Sequence, residues 1–184
     1  MFITGTIGAW ADSSRFGLCV LFSHWSGALL CGACYALFST PDPAPSVGSG
    51  ASEAPCDKLY LPDAILQSAQ AMLVVGGCIT LFSVLSAIPS AILPQLHRAP
   101  QAVLHAFLEM AGGSYALIRQ GWKPEITCCA VSACVSFGGL SILMQNLAFL
   151  RPVQVHPLPL VLMRWMHALF SAAFCWLLYP LLCG

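Results

Sequence analysis

Arg164 and His167 lie inside residues 158–183 (LPLVLMRWMHALFSAAFCWLLYPLLC), an otherwise nearly unbroken apolar run. A guanidinium held in hydrocarbon needs a partner or water, so this segment faces something besides lipid. Arg164, His167 and Ser171 fall at i, i+3 and i+7, and Cys175 continues the stripe. One face of that helix is therefore polar and should turn toward other helices. Snorkelling is the alternative for Arg164, which stands only about two turns from a proline-rich connector.

Glu109 precedes Gly112 and Gly113 by three and four residues, with Ser114 beyond them. On a helix the carboxylate shares a face with the glycines. It is placed to coordinate a cation, carry a proton or pair with Arg164. A second polar group surrounds Gly138 and Gly139: Ser132 and Ser136 before them, Ser141 and Gln145 one turn apart after them, and Asn146 alongside. Hydroxyls and amides of this kind suit a neutral polar solute, or hydrogen bonds between helices. Each Gly-Gly pair sits beside hydroxyl residues. Breaks of that sort expose backbone N–H and C=O groups at membrane depth, where transporters bind substrates and ions. Close helix packing through glycine is the competing use. The candidate solute- or ion-binding residues are Glu109, Gly112, Gly113, Ser114, Ser136, Gly138, Gly139, Ser141, Gln145, Arg164 and His167. His24, in Ser23-His24-Trp25-Ser26, is either a neutral hydrogen-bonded histidine or part of a proton relay.

Other chemistries lack a signature. No nucleophile motif, phosphate loop or dinucleotide fingerprint is present, so neither an enzyme nor a cofactor is expected. Of ten cysteines, eight (Cys19, Cys31, Cys34, Cys78, Cys128, Cys129, Cys134 and Cys175) fall in apolar runs. Cys31 and Cys34 form a C-x-x-C without a second pair at zinc spacing. These cysteines read as small buried helix residues, with no metal site expected.

The elements that must position these groups follow from composition. Hydrophobic residues make up 58% of the 184, charged residues 8%, and mean hydropathy is +0.81. Soluble domains carry about 25% charged residues, so this chain could not cover a soluble surface. Zero net charge leaves no basic face for nucleic acid. A secretory signal is not evident, because Met1–Arg15 lacks a positive n-region. Strand-like alternation is absent, and spans in lipid must then be helical.

A span needs about 20 apolar residues. Phe16–Phe38 is the first candidate, and Met1–Trp10 reads as the tail of an earlier helix. Residues 39–62, rich in Pro, Ser and Gly, form a solvated loop. Asp63–Ile88 is the second span; Pro62 and Asp63 suit its start, Pro89 should end it, and Gly76-Gly77 offers a close-approach point. Gln101–Gln120 is too polar for a lipid-facing span and should be two short helices joined at the glycines, either re-entrant or broken mid-membrane. Glu125–Leu150 should break within Ser136–Ser141, and the final span follows Pro157. The seven Lys and Arg are scattered over both sides, so orientation cannot be read until the course of Gln101–Gln120 is known. The expected fold is an all-α polytopic transmembrane bundle with Gly-broken or re-entrant helices. It has an N-terminal membrane segment (1–38), a loop (39–62) and a second membrane unit (63–184).

The segments LPDAILQSAQAMLVVGGCITLFSVLS, FLEMAGGS, SFGGLSILMQ and RWMHALFSAAF, in this order, resemble the second half of the sporulation integral membrane protein YlbJ family. SHWSG in the first span resembles a further element of it. The family belongs to the nucleoside-recognition, or Gate-domain, membrane proteins. The resemblance covers most of the chain outside residues 39–61. It implies half of a Gate-type repeat pair, a role in spore cortex formation, and residence in the forespore or mother-cell membrane of a bacterium. It also implies kinship to nucleoside and ion permeases, with a small polar solute as ligand. The matching polar positions are Glu109, Gly112, Ser114, Gly138, Gly139, Ser141, Gln145, Arg164 and His167. Where the family pattern carries another glutamine near Leu143, this chain has leucine. Family members run to about twice this length, and transporter sites commonly form between two repeats. The expected partners, besides the bilayer, are thus a separate first half or a second copy.

Overall fold

The computed structural model describes residues 2–38, 60–92, 97–151 and 156–184. All regular structure among them is helical. A π-helical turn (Phe2–Ile7) leads into α1 (Gly8–Trp10), and a turn through Asp12 starts α2 (Ser14–Phe38). The remaining helices are α3 (Leu61–Ile92), α4 (Arg98–Leu108), α5 (Met110–Ile118), α6 (Pro124–Phe137), α7 (Gly139–Leu150) and α8 (Pro157–Leu182). Most of the expected loop 39–62 lies outside the described residues. Four stretches are long and apolar enough to cross a membrane: Ser14–Phe38, Leu61–Pro89, Pro124–Leu150 and Pro157–Leu182. The protein is an all-α integral membrane bundle.

Local chemistry sets several helix ends. Asp63 lies in the first turn of α3, where a carboxylate suits the positive end of the helix. Pro124 opens α6 with a ring that needs no N–H partner there. The His156 ring accepts from Leu158 N at 3.3 Å and caps α8. Pro89, expected to end the second span, sits inside α3, which continues to Ile92. Proline is tolerated inside membrane helices, because neighbouring groups and local adjustments re-satisfy the freed backbone.

The centre of the bundle is α2, α6 and α8. Helix α8 packs along both α2 and α6, while α5 lies on α6. Ile7, Cys19, Val20, Cys128, Val131 and Cys175 form the interior of this packing. Two thirds (67%) of the best apolar window of α6–α7 is buried, against 6% for α3, which touches only α7 and α4 closely. Gly76 and Gly77 were expected to admit a neighbouring helix. A Cβ at either would meet nothing within 4 Å, so they face outward.

The segment 98–118 folds back on itself. A Cβ on Gly113 would collide with the Ala106 backbone, which requires α4 and α5 to lie side by side. Their 11 and 9 residues reach about 16 Å and 13 Å, roughly half of a 30 Å hydrocarbon core. The pair is a re-entrant hairpin. Its turn is at Glu109, which is extended (φ −139°, ψ 125°), and not at Gly112-Gly113, which lie within α5. The glycines serve the close approach of the two arms instead.

Candidate functional site

Glu109 is almost fully buried, yet both its side-chain oxygens find partners locally. One carboxylate oxygen accepts from Ala111 N at 2.8 Å and the other from Gly112 N at 2.6 Å. The side chain thus caps α5, satisfying N–H groups that the reversed chain would leave without partners. Its own N–H donates to His105 O at 2.8 Å, closing α4. The hairpin tip thus satisfies the N–H groups of Glu109, Ala111, Gly112 and Gly113 from within. The anticipated Glu109–Arg164 pair does not form among the described residues; the carboxylate is held by its own helix end.

The tip is seated on the second helix break. Gly138 (φ +82°) ends α6 and Gly139 (φ +72°) starts α7, both in the left-handed region that glycine enters without a Cβ penalty. A Cβ on Gly139 would stand 3.2 Å from Leu108 O and Met110 N, and 3.3 Å from Glu109 N. Two interruptions of helical backbone thus meet at membrane depth. No side chain caps the start of α7. Ser141 and Gln145 are buried just beyond it, with Gln145 Nε2 donating to Ser141 Oγ at 3.3 Å.

On the other side of α6, polar groups connect three helices. His24 Nδ1 lies 3.0 Å from Ser136 Oγ. His167 Nε2 donates to the His24 carbonyl at 3.0 Å, which fixes the proton of neutral His167 on Nε2. The two imidazoles are 4.7 Å apart. One helical turn away, the Ser132 and Ser171 hydroxyls are 2.6 Å apart, both fully buried. Gly27 lets α2 touch α8 there: a Cβ would fall 2.8 Å from Ser171 N.

The sequence-predicted residues therefore separate into groups. Glu109, Gly112 and Gly139 share the tip, together with His105, whose ring lies against Gly112. Ser136 and His167 join His24, and Ser141 pairs with Gln145. Gly113 and Ser114 belong to the hairpin packing; Ser114 Oγ donates to Cys134 Sγ at 3.5 Å. Arg164 is half-buried one turn from His167, with no hydrogen bond or ion pair among the described residues. Beside the tip, a groove of about 350 Å³ is apolar, lined by Ala106, Phe107, Cys134, Phe137 and Trp165 among others. Phe107 stacks on Phe137 at 5.4 Å, and Trp165 closes on Phe137 at 5.0 Å.

His24 is the joint of the polar chain: its ring meets Ser136 on α6 and its carbonyl accepts from His167 on α8. Its signal was the hydroxyl residues beside it, which mark the polar face of α2. A second group went unseen. Cys19, Cys128 and Cys175, on α2, α6 and α8, bring their sulfurs within 4.8 Å of one another. Ligands from three separate helices leave no spacing motif. No family model, curated protein or solved structure matches the chain.

Proposed function

We propose that the chain is a permease-like membrane protein that binds a small polar solute where the hairpin tip meets the α6–α7 break. The observation that carries this reading is the seating of Glu109 and its capped helix end against Gly139, at the α6–α7 break. Paired breaks supply half-helix dipoles and backbone groups at membrane depth, the chemistry used by secondary transporters. Ser141 and Gln145, buried just beyond the break, add a hydroxyl and an amide, which favours an uncharged polar solute over a strong ion. The nucleoside class and a place in spore cortex formation come from the motif resemblance alone.

Glu109→Ala removes both cap bonds, and Gly138→Leu forces a side chain into a left-handed backbone position. Both variants should insert in membranes, lose uptake of labelled nucleosides into vesicles holding the assembled protein, and fail to support heat-resistant spores. Wild-type uptake and normal spores from both would refute the site.

A scaffold that moves no solute is the second reading, favoured by the bare surface of α3. It expects unchanged solute content in developing spores lacking the protein, together with loss of a co-purifying membrane partner.

A further inference from the structure

The sulfurs of Cys19, Cys128 and Cys175 converge from three helices, all fully buried. Cys19 Sγ and Cys175 Sγ are 3.9 Å apart. That is too long for a disulfide, whose sulfurs bond at about 2.05 Å. It matches the spacing of thiolates around a shared ion. Sulfurs held about 2.3 Å from one metal stand about 3.8 Å apart in tetrahedral geometry and about 4.0 Å apart in trigonal geometry. We propose that Cys19, Cys128 and Cys175 form a binding site for one thiophilic d10 metal ion, of the Zn(II) class.

Three features select that class. All three groups are soft sulfur ligands, which exclude hard cations such as Mg(II) and Ca(II). Binding a divalent ion displaces the three thiol protons and leaves one net negative charge. Cu(I) with three thiolates would leave two, a heavier cost in a buried site. The fourth position of a tetrahedral ion has nearby candidates in Cys129 on α6 and Cys183 just past α8. Both pack against the core that holds the three sulfurs. A metal there would pin α2, α6 and α8 together, the three helices that also carry His24, Ser136 and His167. It would act as a staple under the polar chain.

The test uses the full chain, purified anaerobically in detergent and titrated with Cd(II) as a spectroscopic stand-in for Zn(II), and separately with Cu(I). The expected result is one equivalent of Cd(II) giving a sulfur-to-metal charge-transfer band, release of about three protons, and displacement by Zn(II). C19S, C128S and C175S should each weaken binding at least tenfold, while C34S and C78S leave it unchanged. Helical circular dichroism of each variant separates loss of the site from loss of the fold. Absence of the band from the folded wild type overturns the proposal. So does its survival in a folded C19S/C128S/C175S variant, a Cys19–Cys175 disulfide in the anaerobic protein, or stoichiometric Cu(I) binding that Zn(II) does not match.

Discussion

Gly27 and Ser171 mark the tightest contact between α2 and α8, and the Ser132–Ser171 hydroxyl pair lies in the same layer. Between membrane helices, small residues and interhelical hydrogen bonds replace the hydrophobic effect as the source of association. Gly27→Leu should therefore cost about 1–3 kcal/mol by forcing the helices apart. Ser132→Ala should cost about 0.6–1.5 kcal/mol, because Ser171 keeps only weaker partners. Thermal unfolding in a fixed detergent measures both, with Gly76→Leu as the comparison. Gly76 has open space around it, so that change should be close to neutral. Sequence could not rank these glycines. Gly27, Gly76 and Gly113 all sit in apolar helices, and which one meets a neighbouring backbone is decided by helix rotation, which residue types in a nearly all-apolar segment barely constrain. The polar stripe His167, Ser171 and Cys175 was legible, because polar groups in lipid have only the interior to face.

At the scale of elements, the instructive pair is the two helix breaks. The α6–α7 break was legible at Gly138-Gly139, where positive φ at two successive residues needs glycine. The α4–α5 break was legible in kind but not in place. Its turn residue is Glu109, an unremarkable type for an extended conformation. What makes it the turn is its capping of α5, a role visible only once α4 is seen to stop. Glycine content pointed to the right segment for a different reason, the contact of Gly113 with Ala106. The account expects Glu109→Gln to keep the fold better than Glu109→Ala, since an amide oxygen still caps one N–H; a carboxylate at a helix N-terminus is worth roughly 0.3–1 kcal/mol more than a neutral cap. Unfolding midpoints in the order wild type, Gln, Ala check this, and equal midpoints for Gln and Ala would remove the cap from the account.

For the whole molecule, the hairpin sets the topology. If α4–α5 enters and leaves on one side, then Arg15, Arg98, Arg119 and Lys123 lie at one face and Arg151 at the other, among the described residues. The positive-inside rule then places the first face, with the start of α2 and the end of α8, in the cytoplasm. The sequence alone could not give this, because a single crossing more or less at 98–118 inverts everything before it. The apolar composition fixed the fold class; the parity of spans needed the contact between α4 and α5. The central claim is that this segment is re-entrant, since only then does its tip meet Gly139 at membrane depth. The direct measurement is sided labelling with a membrane-impermeant thiol reagent in vesicles of known orientation. Single Cys replacements at Arg98, Arg119 and Arg151 would be made in a Cys56→Ser, Cys183→Ser background. The account predicts that positions 98 and 119 label from the cytoplasmic side and position 151 from the opposite side. Labelling of 98 and 119 from opposite sides would contradict it.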